Sequence, residues 1–283
     1  MGAHRLAVDI GGTFTDVVLE LPDRTVSGKV LTTSAAPEKG VLDVISRVLS
    51  STGVGPEDIS MVLHGTTLAT NAIIERRGAC TALLTTEGFR DTLEFAHGHR
   101  FDQYDLELVR PDPLIERSLR LEVPERIAAD GGVLKRLDED AVRQVAAHLK
   151  SRNIESLAIC FLHSYVNGTH ETRAAEILKR ECPDLFLSLS HEVCPEIREY
   201  ERTSTTATNA YIQPLMVGYL TGLRDSLSAT GLECPLLLIM STGSLTSIET
   251  AIRFPIRLVE SGPAGGAILG QQIARQLDAR QSI

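Results

Sequence analysis

Residues 8–18 read VDIGGTFTDVV, and the rest of the chain takes its meaning from this stretch. An apolar run enters Asp9, breaks at Gly11-Gly12, and passes Thr13, Thr15 and Asp16 before a second apolar run. Short β-branched runs on either side of a glycine pair predict a β-hairpin. A plain hairpin accounts for the glycines, but not for two carboxylates and two hydroxyls around one turn. A Gly-Gly tip also lets backbone amides approach a phosphate with no Cβ in the way. Successive amides in such a turn form an anion-binding concavity, to which Thr13 and Thr15 add hydroxyls. Asp9 then stands where it could hold Mg²⁺ through the metal's own waters, with Asp16 supporting the turn or the same metal shell. Neither common nucleotide signature is present: there is no G-x-x-x-x-G-K-[ST], and the glycines do not follow G-x-G-x-x-G before a helix. On these residues alone, a structural turn and a phosphate-binding turn both stand.

Downstream of the hairpin, residues 25–33 complete a meander of antiparallel strands, and a helical pattern runs from Pro37 through Val41, Val44, Ile45 and Val48 to Gly53. A strand is predicted at 61–64, a helix at 66–76 and a strand at 79–85. Strands alternating with helices imply parallel pairing, so the fold class is α/β. Periodicity is lost over residues 95–126, which reads as an inserted subdomain or a long functional loop. Residues 138–151 form an amphipathic helix with an Asp N-cap, and strands at 157–162 and 185–190 flank a helix at 169–180. A helix over 200–226 carries Pro214; a strand at 235–240 and a small-residue helix over 262–279 close the chain.

Composition narrows the function classes. The chain has 283 residues, 28 Lys and Arg against 37 Asp and Glu, and a formal net charge of −9, which argues against nucleic acid as the main partner. Residues 1–20 do not read as a signal peptide, because Asp9 interrupts the apolar run, and no stretch is apolar enough to span a bilayer. The five cysteines are widely spaced and form no C-x-x-C pair, so reduced thiols in the cytoplasm are expected rather than disulfides or a zinc knuckle. His97-Gly98-His99 lacks a third ligand in register and reads as a polar loop rather than a metal site.

Four further stretches bear on the opening turn: HGTTLATNAIIERRGACTALLTTEGFRD (64–91), EIREYERTSTTATNAYIQPLM (196–216), IMSTGSLTS (239–247) and VESGPAGGAILG (259–270). Together with VDIGGTFTDVV they resemble, in order and over essentially the whole chain, the hydantoinase A/5-oxoprolinase family. That family lies within the actin/Hsp70/sugar-kinase ATPase superfamily. The resemblance implies a ribonuclease-H-like core with a mixed sheet and an inserted substrate-side region. It also implies an N-terminal family region over 1–185 and the beginning of a hydantoinase A domain over 186–283. ATP and Mg²⁺ are the expected cofactors, with Asp9, Gly11, Gly12, Thr13, Thr15 and Asp16 binding the nucleotide and Asp9 holding the metal.

His64, Thr66 and Thr67 are the expected catalytic residues. The strand-to-helix junction would aim their hydroxyls and amides at an anion or a polarised oxygen, or would make one of the threonines a simple N-cap. Asn71, one turn further on, reads as structural. The hydroxyl run 203–206 contacts either a ligand or a packed element. The implied chemistry is ATP-dependent activation of a cyclic amide, such as hydantoin or 5-oxoproline, by phosphorylation of its carbonyl oxygen before ring opening. The alternatives are a ketone carboxylase subunit with the same ATP chemistry and a non-catalytic assembly module. A hydantoinase-B-like partner subunit and an oligomeric state are further implications. The small residues between Ser261 and Gly270 would cross between two lobes just before a second phosphate-binding hairpin. That hairpin is expected beyond Ile283, so the chain alone is expected to hydrolyse ATP weakly.

Overall fold

The computed structural model describes residues 4–33, 37–98, 102, 104–109 and 111–278. In chain order the elements are β1 (His4–Ile10), β2 (Phe14–Glu20), β3 (Thr25–Leu31), α1 (Pro37–Thr52), β4 (Ile59–Thr66), α2 (Leu68–Ile74), β5 (Thr81–Thr86) and α3 (Thr92–Phe95). They continue as β6 (Arg120–Val123), β7 (Arg126–Ile127), β8 (Val133–Lys135), α4 (Glu139–Ser151), β9 (Ser156–Cys160), α5 (Thr169–Glu181), β10 (Phe186–Leu189) and α6 (Ser190–Val193). The last are α7 (Glu199–Ala229), β11 (Leu236–Ile239), β12 (Leu245–Ser247), α8 (Ile248–Arg253) and α9 (Ser261–Gln276).

Two compact units share this chain. Unit 1 comprises Met1–Arg77 and Leu215–Ile283, and unit 2 comprises Gly78–Pro214. The units therefore cut the chain at 77/78 and 214/215, whereas the sequence regions expected at 1–185 and 186–283 are contiguous.

Unit 1 is built on a six-stranded sheet of order β12-β11-β4-β1-β2-β3. The first three strands form the expected antiparallel meander, and β4 and β11 join it in parallel with β1 and with each other. Such a mixed sheet, a meander followed by parallel crossovers, is the ribonuclease-H-like pattern. Alternation along β1 and β2 sends Val8, Ile10, Thr15, Val17 and Leu19 to one face, where α1 packs through Val41, Val44 and Val48. Gly28 on β3 permits that contact, since a Cβ there would lie 2.7 Å from Val44 Cγ2 and 2.8 Å from Val48 Cγ2. The opposite face carries Ala7, Asp9, Asp16 and Val18, and α9 meets it at β4.

The predicted boundary between β4 and α2 shifts. Gly65 and Thr66 belong to the strand, because the parallel ladder pairs them with Asp9 and Ile10, and the helix begins only at Leu68.

Unit 2 holds an all-parallel sheet of order β10-β9-β5-β6. Its central strands β5 and β9 are buried along their whole length, as parallel strands covered on both faces must be. On one face α4 and α5 supply Val142, Leu149, Ile177 and Leu178 to a core with Leu84, Leu157 and Ile159. On the other, Ala207 and Ala210 of α7 meet Leu83, Ala158 and Cys160. The Asp138 carboxylate caps α4 as predicted, accepting from the amides of Asp140 and Ala141. The described part of the aperiodic segment 95–126 includes a 3₁₀ turn at Arg117–Leu119 followed by β6. The hydroxyl run 203–206 is packed rather than open. Thr206 donates to Arg202 O, Thr203 lies 3.0 Å from Cys160 Sγ, and the buried Arg202 guanidinium donates to Glu196 O and Phe161 O.

Candidate functional site

Consecutive strand residues point to opposite faces, and this parity sorts the expected site residues of unit 1 into two sets. Asp9 on β1 sits opposite Asp16 on β2 and Gly65 on β4, and all three belong to the face that α1 leaves uncovered. Val8, Thr15 and His64, each one residue away from one of these, belong to the covered face.

On the uncovered face lies a cleft of about 320 Å³. Asp9, Asp16, Gly65, Thr66 and Thr67 line it together with Ser261 and Gly262 from the start of α9, over an apolar floor of Ala7, Val18, Leu63 and Ile239. Burial raises the Asp9 carboxyl above its ordinary value, and the neighbouring Asp16 charge adds to the effect. Asp16 is neutralised from β3 by Lys29, 2.9 Å away, while Asp9 has no cationic partner among the described residues. Gly65 makes room for Asp9: a Cβ at that position would lie 2.9 Å from Asp9 Oδ1.

The hairpin tip borders a second cleft of about 270 Å³, lined by Gly11, Gly12, Thr32, Thr67, Asn71 and Arg77 among others. Neither glycine adopts the left-handed region. Gly12 contributes openness, with the nearest atom to a Cβ there being Asn71 Nδ2 at 3.4 Å, whereas a Cβ at Gly11 would lie 3.2 Å from Phe14 O and crowd the turn. The Gly11 amide is already committed to Phe14 O at 2.9 Å, whereas Thr13 is exposed at the tip.

Thr15 is placed differently from the expectation that it adds a donor to the tip. It is fully buried, and its hydroxyl lies 3.1 Å from Thr32 Oγ1. Thr32 in turn donates to Gly11 O at 2.9 Å, so the only proton available between the two hydroxyls is that of Thr15. Thr15 thus braces the turn from below.

At the strand-to-helix junction, Thr66 Oγ1 accepts from the Leu68 amide at 3.1 Å, a local turn contact, while the N-cap residue Thr67 makes no side-chain capping bond. Thr67 donates its own amide to Ile10 O at 3.2 Å and accepts from Asn71 Nδ2 at 3.3 Å. Asn71 thus contacts Thr67 while also lining the cleft at the hairpin tip.

His64 lines neither cleft. It is 1% exposed, with Nδ1 3.1 Å from Val8 O and Nε2 2.7 Å from the Tyr219 hydroxyl. Burial lowers its pKa to about 4, so the ring is neutral at physiological pH. A carbonyl oxygen can only accept, so Nδ1 carries the proton, Nε2 is the acceptor, and Tyr219 donates. Burial keeps the Tyr219 phenol protonated, reinforced by the carboxylates of Glu38 and Asp9. Tyr219 had no signal of its own in the sequence, where it is one apolar-face residue of a long helix.

Other candidates resolve simply. His97 stacks edge-on against Tyr200 with ring centroids 4.9 Å apart, and His99 lies outside the described residues. No group of three or more potential metal ligands occurs among the described residues. All five cysteines are free thiols, and burial raises Cys160, Cys182, Cys194 and Cys234, which disfavours the thiolate. No helix among the described residues is long and apolar enough to cross a membrane. At Gly262, Gly265, Gly266 and Gly270 of α9, a Cβ would meet no atom of another element within 4 Å among the described residues.

The profile described as the hydantoinase/oxoprolinase N-terminal region matches residues 5–182, and that described as hydantoinase/oxoprolinase matches residues 202–283. The chain belongs to the hydantoinase/oxoprolinase family. Among relatives in this family, an uncharacterised protein of Methanocaldococcus jannaschii is 39% identical over 270 residues, covering 94% of this chain and 39% of that protein. The caprolactamase subunit alpha of Pseudomonas jessenii is 33% identical over 281 residues, covering 96% of this chain and 40% of that one. The crystal structure of that ATP-dependent caprolactamase superposes with a TM-score of 0.87 at 32% identity, over 96% of this chain and 40% of that chain. The acetophenone carboxylase gamma subunit of Aromatoleum aromaticum is 32% identical over 292 residues, covering 97% of this chain and 40% of that subunit. The chain thus spans about 40% of the length of these hydantoinase/oxoprolinase relatives.

Proposed function

We propose that this chain is the N-terminal part of an ATP-dependent enzyme that opens a cyclic amide after phosphorylating its carbonyl oxygen. The observation that carries the reading is Asp9: a carboxylate on a cleft wall, raised by burial and by Asp16, given room by Gly65 and without an ion-pair partner among the described residues. Two neighbouring acids, of which only Asp16 is paired with a lysine, favour a cation in the cleft, and the side-chain donors there are hard oxygens, which suit Mg²⁺. Asp9 would hold the metal. Bound with ATP, Mg²⁺ would offset charge on the phosphate oxygens.

The open Gly12-Thr13 backbone and the Thr13 hydroxyl are what the hairpin offers to those oxygens. Thr66 and Thr67, already fixed by their contacts with Leu68, Ile10 and Asn71, orient the reacting groups on the Asp9 side. His64 takes no proton from substrate in this scheme, because both of its ring nitrogens are engaged in the interior. The names of the relatives, a subunit alpha and a gamma subunit, support assembly with a companion subunit. Five free thiols fit a cytoplasmic enzyme.

The test is substrate-dependent phosphate release by the full-length protein with its companion subunit. A panel of hydantoin, 5-oxoproline and larger lactams should stimulate ATP hydrolysis with at least one member, and Asp9→Ala should abolish it. ATP–Mg²⁺ binding that is unchanged by Asp9→Ala would sink the reading. A second reading, ketone carboxylation, rests on the nearly equal identity of the acetophenone carboxylase and caprolactamase subunits, 32% and 33%. Incorporation of labelled bicarbonate into a ketone, with no lactam-stimulated turnover, would select it.

A further inference from the structure

We infer that Tyr219 and His64 are positioning residues that set the Asp9 carboxylate from the covered side of the sheet. The inference rests on the reading of Asp9 as the Mg²⁺-holding carboxylate. His64 and Val8 are register partners on β4 and β1, and the next pair along the same ladder is Gly65 and Asp9. The His64 ring bonds the carbonyl of Val8, the residue immediately before Asp9, through Nδ1–H at 3.1 Å. Its other nitrogen accepts from the Tyr219 hydroxyl at 2.7 Å, which fixes the tautomer and hence the direction of the first bond. Tyr219 lies on α7, and its ring packs against His64 at a centroid distance of 5.8 Å. A chain of two hydrogen bonds therefore runs from the helix, through β4, to the peptide that carries Asp9. On the cleft side Gly65 leaves Asp9 without steric support, so its placement depends on the backbone beneath it.

The two bonds can be broken separately. Tyr219→Phe removes only the outer donor. His64→Gln keeps an acceptor near Tyr219 but loses the donor to Val8. His64→Asn keeps a donor near Val8 O and loses the Tyr219 contact. The readout is the equilibrium affinity of the full-length protein for ATP with Mg²⁺ and again in EDTA, alongside the melting temperature.

If the couple positions Asp9, Tyr219→Phe and His64→Gln each lower the Mg²⁺-dependent gain in affinity by about tenfold or more, as loss of a metal ligand's outer support typically does. Affinity in EDTA stays unchanged, and His64→Asn retains more of the gain than His64→Gln. A fall in melting temperature with the gain intact in Tyr219→Phe and His64→Gln overturns the inference and leaves the couple as ordinary buried packing. Should Tyr219→Phe not fold, the His64→Asn and His64→Gln pair decides alone, and equal gains in those two overturn it. Asp9→Ala separates the two levels. If it abolishes the gain while the Tyr219 and His64 variants do not alter it, only the positioning role fails. If Asp9→Ala itself leaves the gain intact, the reading of Asp9 fails and takes this inference with it.

Discussion

In unit 2, the carboxylate of Glu171 is fully buried and accepts four hydrogen bonds, from the amides of Phe161 and His191, the Ser190 hydroxyl and His191 Nδ1. Glu125, also buried, takes the Thr86 hydroxyl and the Nδ1 of His170. In unit 1, Asp9 lies partly desolvated on a cleft wall with no ion-pair partner among the described residues, and both that burial and its neighbour Asp16 make its ionisation harder. The same chemical group is saturated in one sheet and left wanting in the other. A buried carboxylate without partners destabilises a fold, so unit 2 saturates its pair. A carboxylate left unpaired on a cleft wall adds nothing to stability and leaves its oxygens free for the cation proposed above. Stability and ligand binding should therefore respond oppositely to substitutions in the two places.

The strongest test of the contrast is Glu171→Ala. It strands four donors, two of them backbone amides, with Phe161 and Ser190 buried and His191 half-buried, and should destabilise the protein by about 3–5 kcal/mol in urea denaturation. A loss under about 1 kcal/mol would mean that the network is not structural, and the contrast would collapse.

Next in size is the acid response of His64. Its folded pKa of about 4 lies below the unfolded value of 6.5, so the folded state resists protonation. Its contribution is fully present above pH 6.5 and is lost as pH falls towards 4, by about 3 kcal/mol in all. The lowered carboxylates of Asp91 and Glu139 lose stability in the same direction, so the difference between wild type and His64→Asn isolates the histidine. Denaturation midpoints measured at pH 7 and pH 4.5 should diverge less in His64→Asn than in wild type.

A pair of glycine substitutions sharpens the comparison within unit 1 itself. Gly28→Ala drives a methyl into Val44 and Val48 on the α1 side and should cost about 1–3 kcal/mol without changing nucleotide affinity. Gly65→Ala drives one into the Asp9 carboxylate on the cleft side. Because that carboxylate can swing aside, the stability loss should be smaller, while ATP–Mg²⁺ affinity falls. Equal effects on affinity from the two would argue that the cleft face has no special standing.

These expectations depend on which face each residue occupies, and that was only partly legible in the sequence. The hairpin around Gly11-Gly12 declared itself through apolar runs either side of a glycine pair. The α4 helix declared itself through Asp138 and the spacing of Val142, Val145, Ala146 and Leu149. The β4–α2 junction misled, because Gly65 reads locally as a break and is extended only by a ladder partner more than fifty residues earlier. His64 and Thr15 were read as site residues from their chemistry. Pairing with β1 turns both inward, and the partner that occupies His64 is 155 residues away. The unit boundaries left no compositional mark, since one falls just after Arg77 and the other inside α7 at Pro214. Periodicity reports local structure. It is silent on which distant strand supplies the neighbour.

The smallest stability effect, and the one that bears most directly on the contrast, belongs to Asp9→Asn. An acid whose folded pKa is raised opposes folding once it ionises: the penalty is absent below the unfolded value of 3.8 and sets in as pH rises through the folded value. Replacing it with a neutral amide of the same shape removes that penalty and the repulsion from Asp16, while leaving Gly65 its clearance. Stability at pH 7 should therefore stay within about 0.5 kcal/mol of wild type or rise slightly. Below pH 3.8 the two proteins should converge, because the wild-type carboxyl is then protonated in both states. Over the same series the Mg²⁺-dependent gain in ATP affinity should disappear at pH 7. A variant that keeps its fold and loses its metal-assisted binding marks Asp9 as a group held for a ligand. One that loses several kcal/mol would place Asp9 beside Glu171, as a structural acid.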